Sequence, residues 1–343
     1  MGGFSKILVT GGAGFIGSDF VRMLAEREPS VRVVVLDKLT YAVNLANLAS
    51  ARERPHVSFV RGDIADAKLV GELMDSGVEA VVNFAAETHV DRSIEAAFPF
   101  VHTNVLGTQT LLDAARKAGV KRYLQISTDE VYGSLGETGK FTETTPLDPR
   151  SPYSASKAGG DMLVLAYAHT HGFPAGVIRR SNNYGPHQFP EKLIPLFITN
   201  ALEDKPLPIY GTGKNVRDWI FVRDFAEAAW TVLEKGAPGE VYNAGGESER
   251  TNLEVTDAIL SLLGKPKTLL RYVTDRKGHD WRYAMDISRM RAELGWAPKV
   301  GFEEGLRRTV EWYVGNRSWW EEIKSGAYAG YYERIYGRGR GDA

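Results

Sequence analysis

Two carboxylic acids stand side by side in S-T-D-E-V-Y-G, residues 127–133, directly after the apolar-rich run R-Y-L-Q-I. Such a run reads as a buried strand, so Thr128, Asp129 and Glu130 fall at a strand's carboxyl end. Neighbouring acids in different surroundings can hold opposite protonation states, one donating a proton while the other accepts one. Downstream, Y-S-A-S-K opens a predicted helix after P-R-S-P, and its i, i+4 spacing puts the Tyr153 phenol and the Lys157 ammonium on one helical face. A free tyrosine titrates near about 10, so service as a base at neutral pH asks about 4 kcal/mol of its surroundings, at about 1.36 kcal/mol per pH unit. Adjacent positive charge can supply it. Taken alone, each group has a plainer reading: acids that cap a turn, and a tyrosine and a lysine on an ordinary helix surface.

An alternation of strands and helices would bring these groups together. K-I-L-V-T-G, V-R-V-V-V-L-D, V-S-F-V-R-G-D, A-V-V-N-F-A-A and R-Y-L-Q-I-S-T are short, rich in β-branched residues and nearly continuous in apolarity, as strands buried on both faces are. Helical patterns fill the intervals. This predicts an α/β fold with a doubly wound parallel sheet, its functional groups at the carboxyl ends of the strands. The first crossover carries T-G-G-A-G-F-I-G, in which Gly12, Gly14 and Gly17 satisfy one dinucleotide spacing and Gly11, Gly14 and Gly17 another. Asp37 ends the next strand, twenty residues after Gly17. Glycines there let backbone N–H groups approach a pyrophosphate at a helix N-terminus. Asp37 is placed to bond a ribose diol and to repel the extra phosphate of NADP, so the cofactor is read as NAD. Asp63, Ile64, Ala85, Ala86, Glu87 and Thr88 end the following strands, along the path of the adenine and the ribose-phosphate.

Composition narrows the partners. The 343 residues carry a formal charge of −1 and no cysteine. Balanced charge without a basic stripe leaves no footprint for nucleic acid. Without cysteines there are no disulfides or thiolate metal sites, and no zinc-type spacing occurs. The chain runs straight into its first strand without a leader-like segment, and it contains no uncharged apolar span of about 18 residues. A cytoplasmic protein that binds a small molecule is expected, with no metal, membrane or nucleic acid as partner.

The glycine fingerprint together with Y-S-A-S-K resembles the extended short-chain dehydrogenase/reductase family. Finer motifs are similar, in order and over nearly the whole chain, to the dTDP-glucose 4,6-dehydratases: A-A-E-T-H-V-D-R-S, S-T-D-E-V-Y-G, S-N-N-Y-G-P-H-Q-F-P-E-K-L-I-P, P-I-Y-G-T-G-K-N-V-R-D-W and D-R-K-G-H-D-W-R-Y-A. The resemblance implies a Rossmann-type sheet with a smaller, discontinuous C-terminal α/β domain for a nucleotide sugar. It implies oxidation of the hexose at C4, loss of water from C5 and C6, and return of hydride to C6. By the family's pattern Glu130 is the base at C5 and Asp129 the acid at C6. Thr128 bonds near C4, and Tyr153, held by Lys157, takes the C4 hydroxyl proton. The resemblance assigns Gly11, Gly14, Phe15, Ile16, Gly17, Asp37, Lys38, Thr40, Asp63, Ile64, Ala85, Ala86, Glu87, Thr103, Tyr153, Lys157 and Asn182 to a tightly held NAD that is regenerated in each cycle. To dTDP-glucose it assigns Thr88, Thr128, Asn183, Lys192, Leu193, Pro208, Tyr210, Arg217, Asn252, Arg276 and His279. Three alternatives stay open: a 4-epimerase or decarboxylase on the same tyrosine, lysine and NAD, which the adjacent acids disfavour; a dehydratase for another nucleotide such as UDP-glucose; and a silent NAD-sensing or scaffold protein. No motif reads the thymine methyl, worth about 1 kcal/mol by burial.

Regular alternation breaks down in the second half. Residues 1–184 with about 221–243 are expected to form the NAD domain, about 185–220 with 244–335 the sugar-nucleotide domain, and 336–343 a flexible tail. F-V-H-T-N-V-L-G-T-Q-T-L-L-D-A-A and A-G-G-D-M-L-V-L-A-Y-A carry apolar helical stripes. The resemblance implies that they pair with a second copy as a four-helix bundle in a homodimer. Two positions depart from the family pattern. Arg180 stands near the expected nicotinamide end, where a small residue such as cysteine is common, and could alter cofactor packing or point away. Phe225 replaces a common histidine. Trp319 and Trp320 read as core.

Overall fold

The computed structural model describes residues 3–275 and 278–325, so Arg276 and the expected tail lie outside the described residues. Among the described residues the strands are, in chain order, β1 Lys6–Thr10, β2 Arg32–Asp37, β3 Val57–Arg61, β4 Ala80–Asn83, β5 Arg122–Thr128, β6 Ala175–Arg180, β7 Asn182–Tyr184, β8 Leu207–Tyr210, β9 Val216–Phe221, β10 Val241–Ala244, β11 Glu249–Thr251 and β12 Leu270–Val273. Seven of them form one parallel sheet in the order β10-β6-β5-β4-β1-β2-β3. The chain winds outward from β1 in one direction to β3 and then in the other through β4. The crevice at that reversal, over the carboxyl ends of the strands, is where an open α/β sheet takes its ligand.

The five apolar runs form strands because both sheet faces are covered. Side chains alternate along each strand. Ile7, Val9, Val33 and Val35 pack toward Phe20, Val21 and Leu24 of the helix Phe15–Arg27. Leu8, Leu36 and Val81 turn the other way, toward Val70, Met74, Leu111 and Val164. Full burial of each such side chain contributes about 1.5–3 kcal/mol. Phe225 is fully buried in the first of these layers, so the departure from histidine is a packing feature remote from the cleft chemistry.

A second lobe holds a three-stranded sheet, β11-β9-β7, and a parallel pair, β12-β8. Its core gathers Tyr184, Phe197, Trp219, Leu260, Phe302 and Tyr313 around the fully buried Trp320, while Trp319 packs at its edge. Two local features aim side chains at the crevice. The helix Pro152–His171 starts sharply because Ser151 and Ser154 form a reciprocal cap, with Pro152 in its first turn, and it stops at Gly172 in the left-handed conformation, φ 61°. This fixes Tyr153 in the first turn. The segment His102–Gly107 is a π turn between the helices Phe98–Val101 and Thr108–Lys117, and it presents Thr103 to the crevice.

Candidate active site

The loop after β1 is built by close backbone approach. Gly11 turns the chain at φ +65°, and a Cβ there would meet the Ala85 backbone at 2.5 Å. A Cβ on Gly17 would come within 2.3 Å of the Gly11 carbonyl. Gly14 caps the helix Phe15–Arg27, whose first N–H groups are left to face an anion. Asp37 accepts the Ala13 N–H (3.0 Å) and the Leu39 N–H (2.9 Å). Its burial raises its pKa while those two bonds pull it down, and each oxygen keeps a lone pair for a diol. Lys38 pairs with Asp63 at 2.6 Å beside it. One cleft follows these strand ends, and every residue assigned above to the dinucleotide lines it. A glycine cradle that a Cβ would fill, a helix N-terminus and an acid at the end of β2 together suit a dinucleotide.

Some residues that shape this cleft carry no sequence signal. Asn47 donates to the Ala13 carbonyl (3.1 Å) and accepts from the Trp319 indole (3.2 Å), which ties the glycine loop to the helix Arg317–Ser325. Asn104, in the π turn, exchanges hydrogen bonds with the Glu87 backbone (3.0 and 3.1 Å). Tyr41, Gln188, Phe189 and Glu191 also line the cleft, and Tyr41 donates to Glu191 (3.2 Å).

At the carboxyl end of β5 the two acids meet different surroundings. Thr128 caps the short turn Asp129–Tyr132, accepting the Glu130 N–H (3.4 Å) and donating to Asp129 Oδ1 (3.1 Å). Asp129 is 1% exposed, and its Oδ2 is buried without a hydrogen-bond partner among the described residues. Burial, followed by the charge of Glu130, pushes the Asp129 carboxyl up to about 7, against the pull of Arg180, Thr128 and Arg217. Glu130 opens onto the cleft. Tyr153 is also buried, and burial and the Glu130 charge raise its pKa well above the ordinary tyrosine value, with Arg180 as the opposing cation. Lys157 donates to the Ile126 carbonyl (2.6 Å). Burial lowers its pKa to about 8 while Asp161 supports the charge. Arg180 does not point away; it lines the cleft beside these groups.

The residues assigned to the nucleotide sugar fall into two groups. Thr88, Asn183 and Lys192 line the same cleft, and Lys192 donates to the Thr88 carbonyl (3.1 Å). Leu193 opens the helix Leu193–Leu202, Pro208 and Tyr210 lie on β8, Arg217 lies on β9, and Asn252 starts the helix Asn252–Leu263. These belong to the second lobe and do not line the dinucleotide cleft. His279 bonds Asp275 (2.6 Å), with the Tyr210 ring 6.3 Å away. Arg217 lies over the Tyr283 ring at 4.3 Å, and its charge reaches Asp129. Singly, these residue types read as solvated surface, yet Asn183, Arg217 and Asn252 are buried. Asn183 Oδ1 and Asn252 Oδ1 find no hydrogen-bond partner among the described residues, a cost that a polar ligand would remove.

The doubly wound sheet, glycine cradle and Tyr153–Lys157 helix define an extended short-chain dehydrogenase/reductase, and the paired acids mark it as a dehydratase type. The model of the GDP-mannose 4,6 dehydratase family matches residues 8–309. A dTDP-glucose 4,6-dehydratase of Xanthomonas campestris pv. campestris (strain B100) is 54% identical over 94% of this chain and 96% of its own. One from Actinoplanes sp. is 54% identical over 92% and 99%. Among solved structures, DesIV, the dTDP-glucose 4,6-dehydratase of Streptomyces venezuelae crystallised with NAD bound, superposes with a TM-score of 0.91 at 53% identity, covering 93% of this chain and 100% of that one. The chain belongs to the dTDP-glucose 4,6-dehydratases.

Proposed function

We infer that the chain converts dTDP-glucose to dTDP-4-dehydro-6-deoxy-glucose and water. The carrying observation is the pair Asp129 and Glu130, one enclosed with a pKa of about 7 and the other open to the cleft. Bound in the glycine cradle, NAD supplies the acceptor for hydride from C4 and its donor to C6. The chain's residues manage the protons. Tyr153, with Thr128 beside it, takes the proton of the C4 hydroxyl. A C5 proton is hardly acidic until C4 is a ketone; then Glu130 can remove it to an enolate. Hydroxide is a poor leaving group, so protonated Asp129 gives its proton to the departing C6 oxygen. The same carboxyls, now with protonation exchanged, are placed to return a proton to C5. Arg217, Asn183 and Asn252 are proposed to hold the nucleoside diphosphate, guanidinium groups suiting phosphate by their planar fork.

A two-lobe division, 1–184 with about 221–243 against about 185–220 with 244–335, is part of this reading, and the separate sheets support two lobes. β7 pairs with β9 in the second lobe's sheet, while Tyr283, Met285, Met290 and Trp296 pack into the first lobe's core, so the chain crosses between lobes at other points than these bounds. A homodimer is part of the reading too. Val101, Leu106 and Met162 are exposed apolar side chains on the two helical segments expected to pair, and the exposed Ile94 and Phe98, the latter at 76% exposure, lie just before the first of them. Among the described residues no helix is long and apolar enough to cross a membrane, and both NAD and the nucleotide sugar are water-soluble, which supports a cytoplasmic setting. Incubation with dTDP-, UDP-, CDP- and GDP-glucose in parallel, read by mass spectrometry, tests the function. Loss of one water from the dTDP sugar is expected; an isobaric product would mean an epimerase, and no change a silent scaffold.

A further inference from the structure

The strand that ends beside the catalytic acids finishes in two consecutive arginines, and β alternation sends them to opposite sides. Arg179 is buried against the helix Pro152–His171, its Nε bonded to Asp161 at 2.9 Å. Arg180 faces the cleft, which it lines together with Glu130, Tyr153 and Lys157. In the register of β5 with β6, Arg180 lies opposite Thr128, the cap of the turn that carries both acids. Its Nη1 donates to the Ser181 carbonyl (3.1 Å), which restrains the guanidinium, and no carboxylate among the described residues forms an ion pair with it. A half-buried cation of fixed position, facing reacting groups without a dedicated counter-ion, calls for a role.

We propose that Arg180 is a positioning residue for the reaction's protons, a fixed positive charge that faces the Tyr153 phenol and the Asp129 carboxyl and favours the ionised form of both. The proposal rests on the dehydration reading above. Charged and titratable groups face this centre from three sides: Asp129 and Glu130 on the turn after β5, Tyr153 and Lys157 on the helix, and Arg217 and Tyr283 from the second lobe. Arg180 opposes the burial that raises both Tyr153 and Asp129. Lys157 acts differently: burial, with the Arg180 charge adding to it against the pull of Asp161, has brought its own titration down to about 8, so its charge fades on the alkaline side, whereas a guanidinium keeps its charge throughout. The arrangement therefore supplies positive field at pH values where the lysine no longer does.

Removing the cation has a definite sign. Tyr153 must lose a proton to work and Asp129 must hold one. Loss of Arg180 raises both pKa values, so the acid limb and the alkaline limb of the pH profile move upward together. For Arg180→Met, kcat/KM with dTDP-glucose is expected to fall about tenfold at pH 7, with both limbs displaced by about one unit, so that the deficit nearly closes by about pH 9. Arg180→Lys restores most of the profile, and Arg180→Gln, which keeps bulk and polarity, behaves like the methionine variant. An independent readout follows the Asp129 carboxyl by carbon-13 NMR, assigned through D129N, in enzyme without substrate: its titration moves upward in Arg180→Met. Unshifted limbs, an unmoved Asp129 titration, or a lysine variant no better than glutamine would each overturn the proposal.

Discussion

Asp129 is a residue whose chemistry costs stability. Its folded pKa of about 7 lies above the unfolded value of about 3.9, so the native state binds the extra proton and stability falls as pH rises from about 4 to about 7. Asp129→Asn removes that penalty along with the acid. The variant is expected to be more stable than the parent at pH 8, by up to roughly 4 kcal/mol, and no more stable at pH 4. Dehydration is expected to drop at least about a hundredfold. Denaturant unfolding at the two pH values measures the first effect, and equal differences at both would show that Asp129 is ionised in the folded chain. The need for two unlike acids was legible from Asp129 and Glu130 standing together at a strand end. Which one is enclosed was not, because that depends on Arg217 and Tyr283 arriving from residues far along the chain.

Among elements, the first turn of the helix Phe15–Arg27 leaves no room for a side chain at Gly17. A methyl on Gly17 would stand 2.3 Å from the Gly11 carbonyl, so Gly17→Ala must open the loop. A destabilisation of about 1–3 kcal/mol is expected, with NAD held at least tenfold more weakly by calorimetry; unchanged affinity would mean that the cradle does not carry the pyrophosphate. This element was legible because the glycine spacing, the preceding strand and Asp37 agree with one another. The five strands were legible because both of their faces are buried, which writes apolarity without gaps. Strands β7, β11 and β12 span three or four residues each, too short for a period to show. Thr103 reaches the cleft through a π turn, whose extra residue leaves no trace in the helical stripe. Only the family resemblance pointed to it.

The molecule as a whole presents exposed apolar side chains on and beside the helices that flank Tyr153. Phe98→Asp places a charge there and is expected to convert the proposed dimer of 37.9 kDa chains to monomers in sedimentation, with the fold retained; a dimer that persists would move the interface elsewhere. The second lobe was the least legible part. The residues proposed for its nucleotide sugar lie on β8, β9, the helix Asn252–Leu263 and the loop around His279, and only tertiary packing assembles them. What the two lobes jointly claim to do is remove a proton from C5 of an oxidised hexose with one carboxylate. Turnover in deuterium oxide tests this most directly. The parent enzyme should leave one solvent deuterium at C5 of the product, and Glu130→Gln should still oxidise C4, seen as absorbance of reduced cofactor, while neither exchanging C5 nor releasing water. Exchange at C5 by Glu130→Gln at the parental rate would contradict the account.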